Sequence, residues 1–297
     1  MNETPYTQMV GIMLLMLAML IALAFQNKYW GEWVFQSAAL LDGRATTTAF
    51  VSSPFIYTFN TNEILHEAQA MEKSSSPYFW LDSGGIMYFQ NGIGSTAQGE
   101  LPETSPWHNA YEKNNPVDTD GGAHPQNIFR LVTRSLWEDF TQEAYVRITV
   151  LNLSESPNRN ESNGIFLFNR YADGDDLYYA GIRVDGDAVI KKKQNGVYLT
   201  LAETRIFPGG TYDRERNPNL LPENVWIGLK SMVRTEQSGE VVLDLLIDRY
   251  GSGRWELALQ AIDNGLSTGP VIAKEGYAGL RTDFMDVEFR GYRLTEF

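Results

Sequence analysis

The 297-residue chain contains no cysteine, which excludes disulfides, thiolate metal sites and cysteine nucleophiles together. Any exported body must then stand on its hydrophobic core alone. Basic residues are also few. Lys and Arg number 24 against 37 Asp and Glu, and this formal charge of −13 argues against a nucleic-acid partner, because phosphate backbones are held by a surplus of clustered cations. The three histidines are too scattered in sequence to suggest a zinc site. Gly92-Ile93-Gly94 is no nucleotide loop, since no helix opens after it to offer an N-terminus to phosphate. No short internal repeat is present, which argues against a propeller.

What the chain does have is one apolar run. Residues 9–25 form seventeen positions without a charge, short for a membrane span but within what tilt or local thinning absorbs. Ala22 and Ala24 offer a small-x-small cleavage pattern before Phe25, yet residues 1–8 hold no Lys or Arg, so the run reads as an uncleaved signal anchor. Lys28 is the sole cation near either end, so the body is placed outside the cytoplasm on its own character rather than on flanking charge. Tyr29, Trp30 and Trp33 follow as an interfacial belt or as the start of the core. The expected organisation is a tail at 1–8, a transmembrane helix at 9–25, a juxtamembrane segment at 26–41 and one β-domain at 42–297.

The body is glycine-punctuated. Strand-length runs at 165–170, 176–184, 188–193 and 197–202 are separated by Asp173-Gly174-Asp175, Asp185-Gly186 and Asn195-Gly196. Asp-Gly and Asn-Gly accept the positive φ of tight hairpin turns, so these runs predict an antiparallel meander. Within it, Tyr178, Ala180, Ile182 and Val184 share the core face, leaving Tyr179, Gly181 and Arg183 on the other. Further strands are expected at 78–81, 225–235, 240–250, 255–262, 277–281 and 286–295, with no capped amphipathic helix of three turns among the later ones. Residues 100–126 read as a long polar loop. The class is all-β, with two packed antiparallel sheets.

Tyr178-Tyr179-Ala180-Gly181-Ile182-Arg183, the closing Gly276-Tyr277-Ala278-Gly279-Leu280-Arg281, and Val287-Glu288-Phe289-Arg290-Gly291-Tyr292-Arg293-Leu294 resemble the concanavalin A-like lectin and glucanase superfamily, in its laminin G-like style. The resemblance covers roughly 127–297. It implies a jelly roll with ligand on the concave sheet or its rim, in a superfamily that includes lectins, glycoside hydrolases and polysaccharide lyases. The Glu-x-Asp-x-x-Glu strand of its retaining hydrolases is absent here. The nearest acidic cluster, Asp283-Phe284-Met285-Asp286-Val287-Glu288, has different spacing and reads as surface or turn.

A lyase needs His or Tyr to move a proton and Arg, Gln or Asn to neutralise a uronate carboxylate. His124 and Tyr179 are the candidates for the first role, and Arg130, Arg134 and Arg183 for the second. The lyase patterns are not matched literally, since Arg130-Leu131-Val132-Thr133-Arg134 only approximates one and no Gln-x-His triplet exists. Gln126, Asn127, Arg130, Arg134, Tyr179 and Arg183 suit glycan binding without turnover, which asks less of geometry. No cofactor is expected, with calcium as the exception to consider: Asp118 and Asp120 in one loop, and Asp173, Asp175 and Asp176 in another, each gather the oxygens that calcium prefers, though turn chemistry explains both. Lys191-Lys192-Lys193 offers a polyanion contact, but on a hairpin of a strongly acidic protein it reads by default as a solvated strand edge that discourages pairing. Asn152-Leu153-Ser154 and Asn160-Glu161-Ser162 fit the N-glycosylation pattern.

The reading is a membrane-anchored, extracytoplasmic, lectin-like surface protein. A polysaccharide lyase is the first alternative. The second is a structural subunit of a surface assembly that self-associates through its apolar helix.

Overall fold

The computed structural model describes residues 47–49 and 51–297, and the expected membrane anchor, aromatic belt and juxtamembrane segment lie outside the described residues. The strands in chain order are β1 (Phe55–Tyr57), β2 (Glu63–His66), β3 (Phe79–Ser83), β4 (Ile86–Gln90), β5 (Ile93–Thr96), β6 (Ile128–Trp137), β7 (Phe140–Leu151), β8 (Gly164–Tyr171), β9 (Leu177–Arg183), β10 (Asp187–Gln194), β11 (Val197–Arg205), β12 (Ile227–Thr235), β13 (Val241–Asp248), β14 (Glu256–Asp263), β15 (Gly276–Asp283) and β16 (Met285–Glu296). Among these residues no helix is long and apolar enough to cross a membrane.

The expected meander is present: β8, β9, β10 and β11 pair antiparallel in succession. At the β10–β11 turn Asn195 and Gly196 have φ of 49° and 80°, the paired positive values of a type I′ turn, whose twist matches that of the strands it joins. Seven strands form one sheet in the order β11-β10-β9-β8-β15-β6-β3. Nine form the other, β14-β13-β12-β7-β16-β5-β4-β2 with β1 also paired to β16. The result is an all-β sandwich of two antiparallel sheets, with the jelly-roll character the sequence predicts.

Alternation fills the space between the layers. β7 sends Ala144, Val146 and Ile148 inward, and β13 sends Leu243, Leu245 and Ile247. They meet Tyr178, Ala180 and Ile182 of β9, with Val184 just beyond it, so the predicted core face of that strand is the observed one. Each buried Val, Leu or Ile among them stabilises the fold by about 1.5–3 kcal/mol. Phe284, at φ 54°, is the single residue between β15 and β16 and carries the chain from one sheet to the other.

Three expectations are corrected. The stretch 100–126 is not all loop: α1 (Pro106–Asn114) starts where the Ser105 side chain accepts the Trp107 N–H with Pro106 in the first turn, and it buries Trp107, Ala110 and Tyr111 on one face. Its nine residues fall below three turns. The lysine triplet is no sheet edge, because β10 is paired on both sides. Asp283 and Asp286 are not surface residues, being 4% and 0% exposed.

The buried face of α1 meets a carboxyl group. Tyr111 donates its hydroxyl to Glu67 Oε2 at 2.5 Å, and the Gly85 N–H donates to the same oxygen at 2.8 Å. Burial pushes the Glu67 carboxyl up from the usual value of 4.5 to about 7, against the pull of these two bonds. The folded state therefore holds this proton more tightly than the unfolded chain. The associated stability is complete below about 4.5 and is lost as pH rises through 7, a swing on the order of 3 kcal/mol at 1.36 kcal/mol per pH unit. Glu67→Gln should remove that slope, so the difference in unfolding free energy between variant and wild type should grow in the variant's favour from pH 4.5 to 8. A pH-independent difference in denaturant titrations would contradict this assignment.

Candidate functional site

Side chains that β9 does not send to the core point to the outer face of the seven-stranded sheet. There Phe166 and Phe168 of β8, Tyr179 of β9, Val189 of β10 and Val132 of β6 form a second buried apolar cluster with Tyr171 and Leu177. Phe166 and Phe168 meet the Tyr179 ring edge-on at 6.0 and 5.4 Å. This aromatic floor underlies a cleft of about 490 Å³. Its inner wall carries Arg130, Lys191, Tyr198, Arg281 and Asp283, and its rim carries amide and carboxylate groups from Asn115, Asp118, Asn158, Asn160 and Asn163.

Arg281 organises the inner wall. Its Nε donates to Asp283 Oδ1 at 2.8 Å, while Nη1 donates to the Tyr179 and Tyr198 hydroxyls at 3.2 and 3.3 Å. The two phenol rings stack with centroids 5.9 Å apart. Tyr179 is buried, whereas Tyr198 is 49% exposed and presents an aromatic face fixed from behind. Burial disfavours the guanidinium charge, but Asp283 and the two phenols outweigh it and hold Arg281 charged. Burial pushes the Tyr179 phenol up. At Tyr198 burial acts in the same direction, yet the Arg281 charge and hydrogen bond prevail and bring the phenol below its usual value. Asp283 keeps Oδ2 buried with no hydrogen-bond partner among the described residues, an unspent acceptor on the cleft wall.

The residues singled out from sequence are divided. Tyr179 and Arg130 line the cleft, the latter 3.5 Å from Asp82. Arg183 does not line it: its guanidinium serves the β9–β10 turn, bound to Asp185 and reaching Glu203 Oε2 at 3.2 Å. Arg134 is buried and donates to the Ser76 carbonyl at 2.6 Å. His124 Nδ1 sits 3.1 Å from Asp120 Oδ2. The proposed proton carriers His124 and Tyr179 are thus not neighbours on one wall, and Gln126 and Asn127 are both fully buried, their amide nitrogens donating to Asp286 and to the Asp118 carbonyl.

The aspartate loops are likewise engaged. Asp118 Oδ1 accepts from Ser156 Oγ at 2.5 Å and Asn158 Nδ2 at 2.9 Å, and Asp120 Oδ1 accepts from Ser154 Oγ at 2.5 Å. These bonds tie the rim loops to each other. Asp173 Oδ1 accepts the N–H groups of Asp175 and Asp176, Asp175 Oδ1 pairs with Lys193 Nζ at 2.9 Å, and Asp176 Oδ1 accepts the Asn195 N–H. No cluster of three or more His, Asp or Glu side chains stands ready for a metal ion among the described residues. Asn152, of the first glycosylation pattern, is buried with its amide donated to Asn127 and Asp286.

Sequence reasoning did not select Tyr198, Lys191, Arg281 or Asp283 as site residues. The signal was in the parity of the strands: Lys191 lies opposite Tyr179 in the β9–β10 register, and Arg281 lies opposite Phe166 and Arg130 in β8 and β6.

No family model and no curated protein sequence matches this chain. Similar solved structures include the carbohydrate binding module CBM66 from Bacillus subtilis, 18% identical over 57% of this chain and 82% of that one, with a TM-score of 0.39. The GH43 protein BlXynB from Bacillus licheniformis is 10% identical over 84% of this chain and 40% of its own, at 0.46. A Bacillus licheniformis beta-glucanase is 10% identical over 84% of this chain and 100% of its own, at 0.41. No activity is carried over from these likenesses, and the fold stands on the sheet pairing itself.

Proposed function

We propose that this chain is a membrane-anchored, extracytoplasmic carbohydrate-binding protein whose cleft on the outer face of the seven-stranded sheet holds a glycan. One observation carries the reading. Tyr198 is an exposed ring locked by stacking on Tyr179 and by the Arg281 hydrogen bond, inside a cleft rimmed with amides and carboxylates. A pyranose presents an apolar C–H face and equatorial hydroxyls, and such a wall answers both at little cost in ordering. The apolar run at 9–25 would supply the anchor.

The test is retention of the full chain in detergent on a panel of immobilised polysaccharides. Tyr198→Ala should weaken binding about 30-fold, the roughly 2 kcal/mol typical of losing an anchoring aromatic, while a cooperative melting transition, lowered by no more than the lost stacking on Tyr179 and the Arg281 bond, shows that the fold is kept. Wild-type affinity in that variant would overturn the assignment. Polysaccharide cleavage by β-elimination is the second reading, favoured by the lowered proton affinity of Tyr198 beside Arg281. It demands new absorbance from unsaturated product. Retention without product leaves the binding role, and failure of both favours surface assembly through the apolar segment.

A further inference from the structure

Each cation of the cleft and its margins has an acid beside it except one. Arg281 has Asp283, Arg130 has Asp82, Lys193 has Asp175, and Arg183 has Asp185. Lys191 lines the cleft, and its ammonium makes no hydrogen bond or ion pair among the described residues. It is half-buried, and its charged form is disfavoured first by that burial and then by Arg183 and Arg281, which Tyr198 and Glu203 offset only in part. An ammonium group held off water beside two guanidinium groups, with no acid in contact and the acid that acts on it, Glu203, already bound to Arg183, is an incomplete arrangement. An anion completes it. Of the three cations in the lining, Arg130 is answered by Asp82 and Arg281 by Asp283, which leaves Lys191 as the one with no acid in contact.

The other unspent group is Asp283 Oδ2, which asks for a hydrogen-bond donor such as a hydroxyl. Lys191 on β10 and Asp283 on β15 are separated by β9 and β8, three strand spacings or about 14 Å. That exceeds one sugar ring, so a single ligand meeting both must be an oligosaccharide segment.

From these unsatisfied groups we infer that the cleft selects an anionic oligosaccharide, with Lys191 receiving a carboxylate or sulfate and Asp283 a hydroxyl several residues along the same glycan chain. This rests on the carbohydrate-binding reading above and names its ligand class. Lys191 acts here as a specificity residue, because a neutral sugar would leave its charge uncompensated.

The experiment measures affinities of the full chain in detergent for size-matched oligouronates, sulfated oligosaccharides and neutral oligosaccharides at low and high salt. Wild type, Lys191→Met and Tyr198→Ala are compared. Lys191→Met keeps the apolar stem, so folding should be undisturbed, which a melting curve checks. The expected result is preference for one anionic series, a loss of at least about tenfold on that series in Lys191→Met, the usual scale for a charge-assisted contact, and an unchanged weak affinity for the neutral one. Tyr198→Ala should weaken both. Preference for uronates or for sulfated chains each supports the inference and identifies the anion. Neutral oligosaccharides bound as tightly as charged ones, or an anionic series insensitive to Lys191→Met, would overturn it while leaving the binding role in place. Binding to none of the series would remove the binding role itself.

Discussion

Asp286→Ala is expected to lower the unfolding free energy by about 4 kcal/mol, the sum for three buried donors deprived of their acceptor at about 1–3 kcal/mol each, allowing for partial relaxation. The Asp286 side chain is fully buried. Its Oδ1 accepts from Gln126 Nε2 at 2.8 Å and Asn152 Nδ2 at 3.0 Å, and its Oδ2 accepts the Gly99 N–H at 2.6 Å. No cation takes part among the described residues. The carboxylate is held there by neutral donors, so its removal strands an amide from each of three segments. At roughly 2–4 °C per kcal/mol for a body of this size, the melting temperature should fall by about 10 °C.

The effect should extend to the cleft. Asn152 also bonds Asn127 Oδ1, Asn127 donates to the Asp118 carbonyl, and Asp118 holds Ser156 and Asn158 on the rim. Asp286→Asn keeps one acceptor and turns a donor toward a donor, so a loss of about 1–2 kcal/mol is expected for it. Equal stability of alanine variant and wild type in denaturant titrations would show that this network relaxes without cost.

The alternating positions of β9 and the dipeptide turns were legible because each is decided locally: side-chain parity has period two, and Asn-Gly needs no tertiary partner to favour a positive φ. The strands β12 to β16 could be placed for the same reason. α1 escaped because its signal is tertiary. Ser105 and Pro106 mark a helix start, but nine residues become a stable helix only when Trp107 and Tyr111 pack against β2 and the Gly84-Gly85 turn.

The site was half legible. Tyr179 could be assigned to the outer face from parity, whereas the partners that make it useful, Tyr198 and Arg281, come from strands 19 and 102 positions away in sequence and meet it only across the folded sheet. Arg183 shares parity with Tyr179, but three nearby acids claim it for the turn. Charge type and parity alone cannot foresee which of two arginines a local acid will take.

The lysine triplet gives the last prediction. Parity places Lys192 opposite Tyr178 on the core face, between Lys191 and Lys193 on the outer one. Its ammonium is fully buried 2.8 Å from Asp263 Oδ2 and donates to the Pro270 carbonyl at 2.6 Å and the Gly269 carbonyl at 3.1 Å. Asp263 also accepts from the Tyr178 hydroxyl at 2.6 Å and Thr268 Oγ1 at 2.6 Å. The pair thereby joins β10 of one sheet to the end of β14 in the other and pins the segment between β14 and β15.

Burial opposes ionisation of Asp263, but the bonds from Lys192, Thr268 and Tyr178 prevail and hold its carboxyl below the usual value. A depressed folded value means that the stabilisation is present above the unfolded value of about 3.8 and is lost as pH falls through the folded one. Lys192→Met leaves a buried carboxylate without its cation and two carbonyls without a donor, and should cost about 3–5 kcal/mol at neutral pH. The deficit should shrink at acid pH, where Asp263 is protonated in both proteins. Combining Lys192→Met with Asp263→Asn removes the stranded charge, so the double variant should be more stable than the sum of the single losses by about 2 kcal/mol. Strict additivity in that cycle would mean that the two groups hold the segment independently, and the ion pair would not be what couples the sheets.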